Sequence, residues 1–141
     1  MNSIEAASVV RRAVGALGRR LRAERPANSL SATKLSLLGQ LYHRGSTSAA
    51  ELADLERVQP QSLTRVLAEL AEAGLISRRA DARDGRRQLL DISAEGRAAL
   101  TGDMQQRDAW LAKAMADELS ATEQELLRLA AKLLERLADV S

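Results

Sequence analysis

Apolar side chains recur every three or four residues along most of the chain, which is the spacing of amphipathic helices. The first stripe predicts a helix over residues 4–24 that stops before Pro26, because the residue preceding a proline avoids helical angles. Ser31 is placed to cap a second helix, and Gly45 to end it in a left-handed C-cap. The first stripe consists of Val10, Val14, Leu17 and Leu21.

Two shorter helices are predicted next. Ser48 and Glu51 have the spacing of a capping box, which predicts the start of a third helix. Pro60 suits the first turn of a fourth helix, where its missing N–H group has no partner to lose, and Gly74 is predicted to end that helix. The fourth helix is expected to bury one face, made of Leu63, Val66, Leu67 and Leu70.

The pattern after Gly74 changes from helix to strand. Residues 76–80 and 87–92 are predicted to be two short strands, joined through Asp84-Gly85, a strong hairpin signal. A hairpin directly after two short helices predicts a mainly α fold with a small β-hairpin wing. The predicted fold is therefore a winged helix-turn-helix domain, flanked by long helices at the N- and C-termini.

Two long helices are predicted beyond the hairpin, the fifth capped by Ser93 and the sixth by Ser120 with Glu123. The first and last helices carry apolar stripes wider or longer than one small domain can cover. We therefore expect them to be dimerisation helices that join two copies of the chain. The alternative is that the two helices pack against each other within one chain.

The fourth helix is expected to enter the major groove of double-stranded DNA, which is wide enough for one helix. Opposite its buried face, the N-terminal end of this helix carries polar side chains. Arginine can bond guanine edges, glutamine can bond adenine, and serine or threonine can reach phosphate or base. The predicted groove-reading residues are Gln59, Gln61, Ser62, Thr64 and Arg65.

The predicted hairpin carries a basic, glycine-tipped loop. Between residues 57 and 87 there are seven arginines and four acidic residues, although the net charge of the chain is only +2. Arg83, Arg86 and Arg87 are expected to contact phosphate or to enter the minor groove, where negative potential concentrates. Asp84 is expected to cap the turn and to hold Arg86 or Arg87 extended. The alternative is a hairpin that is only solvated.

Composition excludes several classes of protein. The 141 residues favour one domain, and the absence of cysteine excludes disulfides, thiol chemistry and cysteine-ligated metals. With His43 as the single histidine, we expect no metal site and no cofactor. The N-terminal residues lack a signal region, and no stretch is long and apolar enough to span a membrane, so we expect a cytoplasmic protein without a membrane partner.

The stretch LISRRADARDGRRQLLDISAEG, residues 75–96, resembles the wing signature of MarR-type regulators. Residues 63–78 are similar to the recognition helix and exit strand of that family, and residues 47–58 to its first helix-turn-helix element. The resemblance implies a homodimer, usually a repressor of a pseudo-palindromic operator, that releases DNA when a small phenolic or lipophilic acid binds. It implies one domain over residues 1–141, with a DNA-binding lobe at 30–93 and dimerisation helices at 4–24 and 94–138.

Such a ligand would bind between the dimerisation helices and a DNA-binding lobe. Candidate walls of that pocket are Leu17, Leu21, Leu38, Tyr42, Trp110 and Leu111, with Arg20 or His43 to receive an acid group. Each of these residues has a simpler interpretation. Leucines on an apolar stripe are usually core, His43 near a helix end is usually a surface or capping residue, and the two aromatic residues can seal a core.

Two other functions are weaker alternatives. A winged helix can serve as a protein–protein interaction module, but such a module does not need arginines on both the hairpin and the fourth helix. An enzyme is not expected, because the acid pairs lie on ordinary helix surface and no nucleophile–base or phosphate-loop pattern is found.

Overall fold

The computed structural model describes residues 1–25 and 29–141 and has, within them, six helices and a three-stranded antiparallel sheet. The fold is therefore mainly helical with a small wing, as predicted. In chain order the elements are α1 (Ser3–Ala23), α2 (Ala32–Arg44), β1 (Thr47–Ser48), α3 (Ala49–Glu56), α4 (Pro60–Glu72), β2 (Ile76–Ala80), β3 (Gln88–Ile92), α5 (Ala94–Glu118) and α6 (Ala121–Ala138). Pro26, the predicted stop of the first helix, lies outside the described residues.

The chain divides into two compact units. The first contains Met1–Arg25 and Gln105–Ser141, and the second spans Pro26–Met104. The predicted DNA-binding lobe at residues 30–93 falls inside the second unit, which also includes the beginning of α5.

Leucine forms most of the core of the second unit, because the chain has no phenylalanine. The most completely buried large side chains are Leu37, Leu38, Leu41, Leu52 and Leu70. Leu38 is thus a core residue and is not available as the pocket wall considered above. These leucines come from α2, α3 and α4, so the core fixes the three helices against one another.

Most predicted helix caps are confirmed. Ser31 accepts a hydrogen bond from the backbone N–H of Lys34, and Ser120 and Glu123 form the full capping box of α6. Ser48 accepts from the N–H of Glu51, but the Glu51 carboxylate pairs with Arg87, so the predicted reciprocal bond is replaced. Gly45 has the expected positive φ of 80°, but its ψ of −153° is not left-handed helical, so that part of the prediction was wrong.

The sheet has the order β1-β3-β2, with Thr47 opposite Leu90 and Ile76 opposite Ile92. Both hairpin strands were predicted, but β1 was missed, because two residues are too few to show an alternating pattern. The connection between β2 and β3 is a seven-residue loop, residues 81–87, and not a two-residue Asp-Gly turn. Neither Asp84 nor Gly85 has the positive φ that a type I′ turn requires.

Ser93 caps α5 as predicted and also attaches it to the end of α4. Its hydroxyl accepts a hydrogen bond from the backbone N–H of Gly96 at 3.0 Å and donates one to the Gly74 carbonyl at 2.6 Å. The backbone N–H of Ser93 donates to the Leu75 carbonyl at 3.0 Å. The start of α5 is therefore fixed to the turn between α4 and β2. In the parts of the chain that are described, no helix is long and apolar enough to cross a membrane.

Candidate nucleic-acid interface

Helix α4 is amphipathic in the predicted sense. Leu63, Leu67 and Leu70 are buried, and Val66 is half-buried. The polar face is exposed and carries Gln61, Ser62, Thr64 and Arg65. Gln59 is the N-cap residue in an extended conformation and is also exposed, one residue before Pro60 at the first helical position. All five predicted groove-reading residues are thus on the surface.

Arg65 is the most prominent side chain of this face, with 90% of it exposed. Its Nε donates to Oε1 of Glu69, one turn further along α4, at 3.1 Å. Oε2 of Glu69 is 2.9 Å from Nζ of Lys34 on α2. The hydrogen bond from Lys34, and then that from Arg65, hold the pKa of Glu69 below its usual value. No local pattern could predict the Lys34 contact, because it joins residues 35 positions apart.

Two aspartates shape the wing loop, residues 81–87 between β2 and β3, through backbone hydrogen bonds. Oδ1 of Asp81 accepts from the N–H of Arg83 at 2.9 Å, and Oδ1 of Asp84 accepts from the N–H of Arg86 at 3.1 Å. The N–H of Arg87 donates to the Asp84 carbonyl at 3.0 Å, closing the turn. Asp84 therefore caps the turn as predicted, but it bonds the backbone of Arg86 where a guanidinium contact was expected.

The three wing arginines differ in their contacts. The Arg87 guanidinium pairs with Glu51 and donates to Oγ of Ser48 at 3.3 Å, which attaches the wing to the start of α3. The side chains of Arg83 and Arg86 are exposed and have no acidic partner among residues 1–25 and 29–141. Arg83 and Arg86 are thus the arginines of this loop that are free to meet an anion.

A polar cluster at the base of the wing was missed by the sequence analysis. Nε of Arg79 on β2 donates to Oδ2 of Asp91 on β3 at 3.0 Å, and Nη2 donates to Oγ of Ser46 at 2.8 Å. The Ser46 hydroxyl donates to the other oxygen of Asp91. The cluster attaches both wing strands to the loop between α2 and β1. Its members are 12 to 45 residues apart in the chain, so local patterns could not have found it.

Four of the candidate ligand-binding residues form two pairs. In the first unit, the Arg20 guanidinium lies 5.0 Å from the centre of the Trp110 ring, and its Nη2 is 2.7 Å from Glu24. In the second unit, the Tyr42 and His43 rings meet edge to face at 5.2 Å. Leu17 is partly exposed on α1. The described residues contain no cluster of three or more potential metal ligands.

The helix pair, the exposed polar face of α4 and the three-stranded wing define a winged helix-turn-helix protein of the DNA-binding class. Residues 30–87 match the model of the MarR family. The chain belongs to the MarR family of DNA-binding transcriptional regulators.

Relatives match over nearly the whole chain. An uncharacterized HTH-type transcriptional regulator of Mycobacterium bovis is 38% identical over 129 residues, which is 92% of this chain and 90% of the relative. The structure is similar to that of a Pseudomonas aeruginosa protein described as a transcriptional regulator, with a TM-score of 0.85, 37% identity and coverage of 98% and 96% of the two chains.

A third similarity extends to the fold alone. BpsR of Bordetella bronchiseptica, whose DNA binding is regulated by 6-hydroxynicotinic acid, superposes with a TM-score of 0.67 at 19% identity. That match covers 96% of this chain and 94% of BpsR.

Proposed function

We propose that this protein is a homodimeric transcriptional repressor that binds a pseudo-palindromic operator and is released from it by a small acidic ligand. One observation carries the proposal of direct DNA reading. The polar face of α4 and the arginines of the wing loop are exposed on one compact unit, and Arg83 and Arg86 lack acidic partners in its described part. Exposed cations on two neighbouring elements suit a polyanion.

The two elements have different roles in this proposal. Gln59, Gln61, Ser62, Thr64 and Arg65 face base edges or phosphates in the major groove. Arg83 and Arg86 contact the phosphate backbone or the minor groove. Asp84 shapes the loop, and Arg87 joins the interface from its position beside Glu51.

Dimerisation is supported by exposed apolar side chains in the first unit. A groove of about 480 Å³ in this unit is lined by α1 and α6, mainly with apolar residues, Val14 and Leu137 among them. Further apolar side chains on the same helices are exposed, namely Ile4, Leu17, Leu126 and Leu133. Patches of this kind mark interaction surfaces. A second copy would bury them and present two α4 helices to sites about 34–36 Å apart on DNA.

Ligand release is the third part of the proposal. It rests on the regulation of BpsR by 6-hydroxynicotinic acid and on the two pairs of candidate residues, Arg20 with Trp110 and Tyr42 with His43. A ligand that prefers a different spacing of the two lobes would weaken DNA binding about 5–150-fold, the range of ordinary allosteric coupling.

The test of DNA binding is a selection of bound duplexes from random DNA, followed by measurement of affinity at several salt concentrations. We expect enrichment of a two-fold symmetric site and a steep loss of affinity with salt. Failure to bind any duplex at low salt would contradict the proposal and favour the alternative, a winged-helix protein interaction module.

Replacement of Arg65 by alanine is expected to weaken binding to the selected site by about 1–3 kcal/mol, if its guanidinium bonds a guanine edge. Binding to random duplex should change much less, because the lost contact is to a base. Fluorescence anisotropy with both duplexes checks this. An equal loss on both would place Arg65 on phosphate.

Arg86→Ala is expected to weaken binding to all DNA sequences and to reduce the slope of log K against log salt by about one unit, since one phosphate contact is lost. Arg97→Ala is the matched control. Arg97 is an exposed arginine of the same unit, and strand β3 separates it from the wing loop. Equal slopes for the wild-type protein and Arg86→Ala would show that Arg86 does not contact DNA.

A further inference from the structure

Glu69 lies between two cations, and each of its carboxylate oxygens has one partner. Oε1 accepts from Nε of Arg65 at 3.1 Å, and Oε2 lies 2.9 Å from Nζ of Lys34. Arg65 is almost fully exposed, whereas Lys34 is only one-quarter exposed. The carboxylate therefore links an arginine on the surface of α4 to a more buried lysine on α2.

The contact to Arg65 uses the nitrogen nearest the aliphatic stem. Arginine has five N–H groups, and the bond from Nε leaves both terminal nitrogens for another acceptor. A bidentate contact to O6 and N7 of guanine needs two donors in one plane. Because Nε and the terminal nitrogens are coplanar, fixing Nε also limits the orientation of the free pair. An arginine ordered in advance loses less side-chain entropy when it binds.

Lys34 removes the usual disadvantage of an acid at a DNA-binding surface. A lone carboxylate beside Arg65 would repel phosphate and neutralise the arginine. With Lys34 included, the three groups carry a net charge of +1. Lys34 also holds the carboxylate from the side of α2. Its own backbone N–H donates to Ser31, the N-cap residue of that helix.

We propose that Glu69 is a specificity-determining positioning residue, which holds Arg65 for a bidentate contact to guanine while Lys34 keeps the carboxylate in place. The inference rests on the proposed function, in which α4 enters the major groove. It adds that a residue without any DNA contact of its own sets the base preference at the position read by Arg65.

Glu69→Ala and Glu72→Ala form the test pair. Both remove one negative charge from α4 and introduce the same good helix former, but Glu72 is an exposed residue that lacks a contact to Arg65. Binding to random duplex should tighten similarly in both variants. Only Glu69→Ala should lose preference for the selected site over the same site with its guanines replaced, by about tenfold. Glu69→Gln keeps an acceptor oxygen and should recover part of the preference.

A double-mutant cycle shows whether Glu69 acts through Arg65. In the Arg65→Ala background, Glu69→Ala should cause no further loss of guanine preference, because the side chain that it positions is gone. An equal loss in both backgrounds, or equal behaviour of Glu69→Ala and Glu72→Ala, would overturn the inference. Absence of DNA binding by the wild-type protein would instead refute the proposed function. Thermal melting shows whether each variant is folded. If Glu69→Ala is unfolded, Glu69→Gln replaces it in these comparisons.

Discussion

Leu133→Glu should convert the protein to a monomer and reduce its affinity for the selected DNA site by a factor of at least about 100. Leu133 lies on α6 and is 55% exposed in a single chain. In the proposed dimer it is buried, and a carboxylate there has no partner to replace water. Once the subunits separate, the second lobe no longer binds with the high effective concentration that a linked partner provides.

Light scattering after size-exclusion chromatography gives the mass, and anisotropy with the selected duplex gives the affinity. Thr122→Glu is the matched control, because it adds the same charge at an exposed position in the first turn of α6, where an acid is favourable. A Leu133→Glu variant that remains a dimer would show that α6 is not the interface. A wild-type protein that is a monomer in solution would refute the proposed dimer itself.

The helices could be predicted because their signals are local. The capping box of Ser120 and Glu123, and the spacing of Leu63, Leu67 and Leu70, each lie within one or two helical turns. Local hydrogen bonds and one apolar face are sufficient to fix such elements. For the same reason the exposed face of α4 was predicted with its residues.

The wing was only partly predictable. Its strands show in the sequence, but the loop geometry depends on Asp81 and Asp84, whose carboxylates both bond backbone N–H groups. An Asp-Gly pair is consistent with a two-residue turn and equally with part of a longer loop, so the sequence did not decide between them.

Contacts between residues far apart in the chain could not be predicted from local sequence patterns. Arg87 was expected to meet DNA as freely as Arg86, yet it pairs with Glu51, which lies 36 residues earlier in the chain. Glu51 had been assigned to the capping box of α3. Only the three-dimensional packing of β3 against the start of α3 shows which partner the carboxylate takes.

These contacts give the wing a fixed base and an open tip. Arg79, Asp91 and Ser46 attach its strands to the loop after α2, and Arg87 attaches the end of the loop to α3. Arg83 and Arg86 lie between these attachments. A fixed base limits the positions that the tip can take, which favours a phosphate contact in a defined place over a flexible basic arm.

Gly96→Ala is expected to destabilise the protein by about 3 kcal/mol, the upper end of the range for overpacking. A Cβ atom at this position would lie 2.1 Å from the Leu75 carbonyl oxygen and 2.8 Å from Cγ1 of Ile92. The carbonyl belongs to the backbone and already accepts the N–H of Ser93, so it cannot move without loosening the start of α5. The melting temperature should fall by about 10 °C.

Gly102→Ala, in the same helix, should have the opposite effect. Apart from the adjoining residues and nearby backbone of its own helix, no atom of the described residues lies within 4 Å of the Cβ position there, and alanine is favoured over glycine inside a helix by about 1 kcal/mol. Thermal and urea unfolding of both variants test the pair. If Gly96→Ala has the same melting temperature as the wild-type protein, the start of α5 does not pack on the turn between α4 and β2 as closely as the hydrogen bonds of Ser93 require. Opposite shifts would show that Gly96 is needed for close packing, since both substitutions gain the same helical propensity.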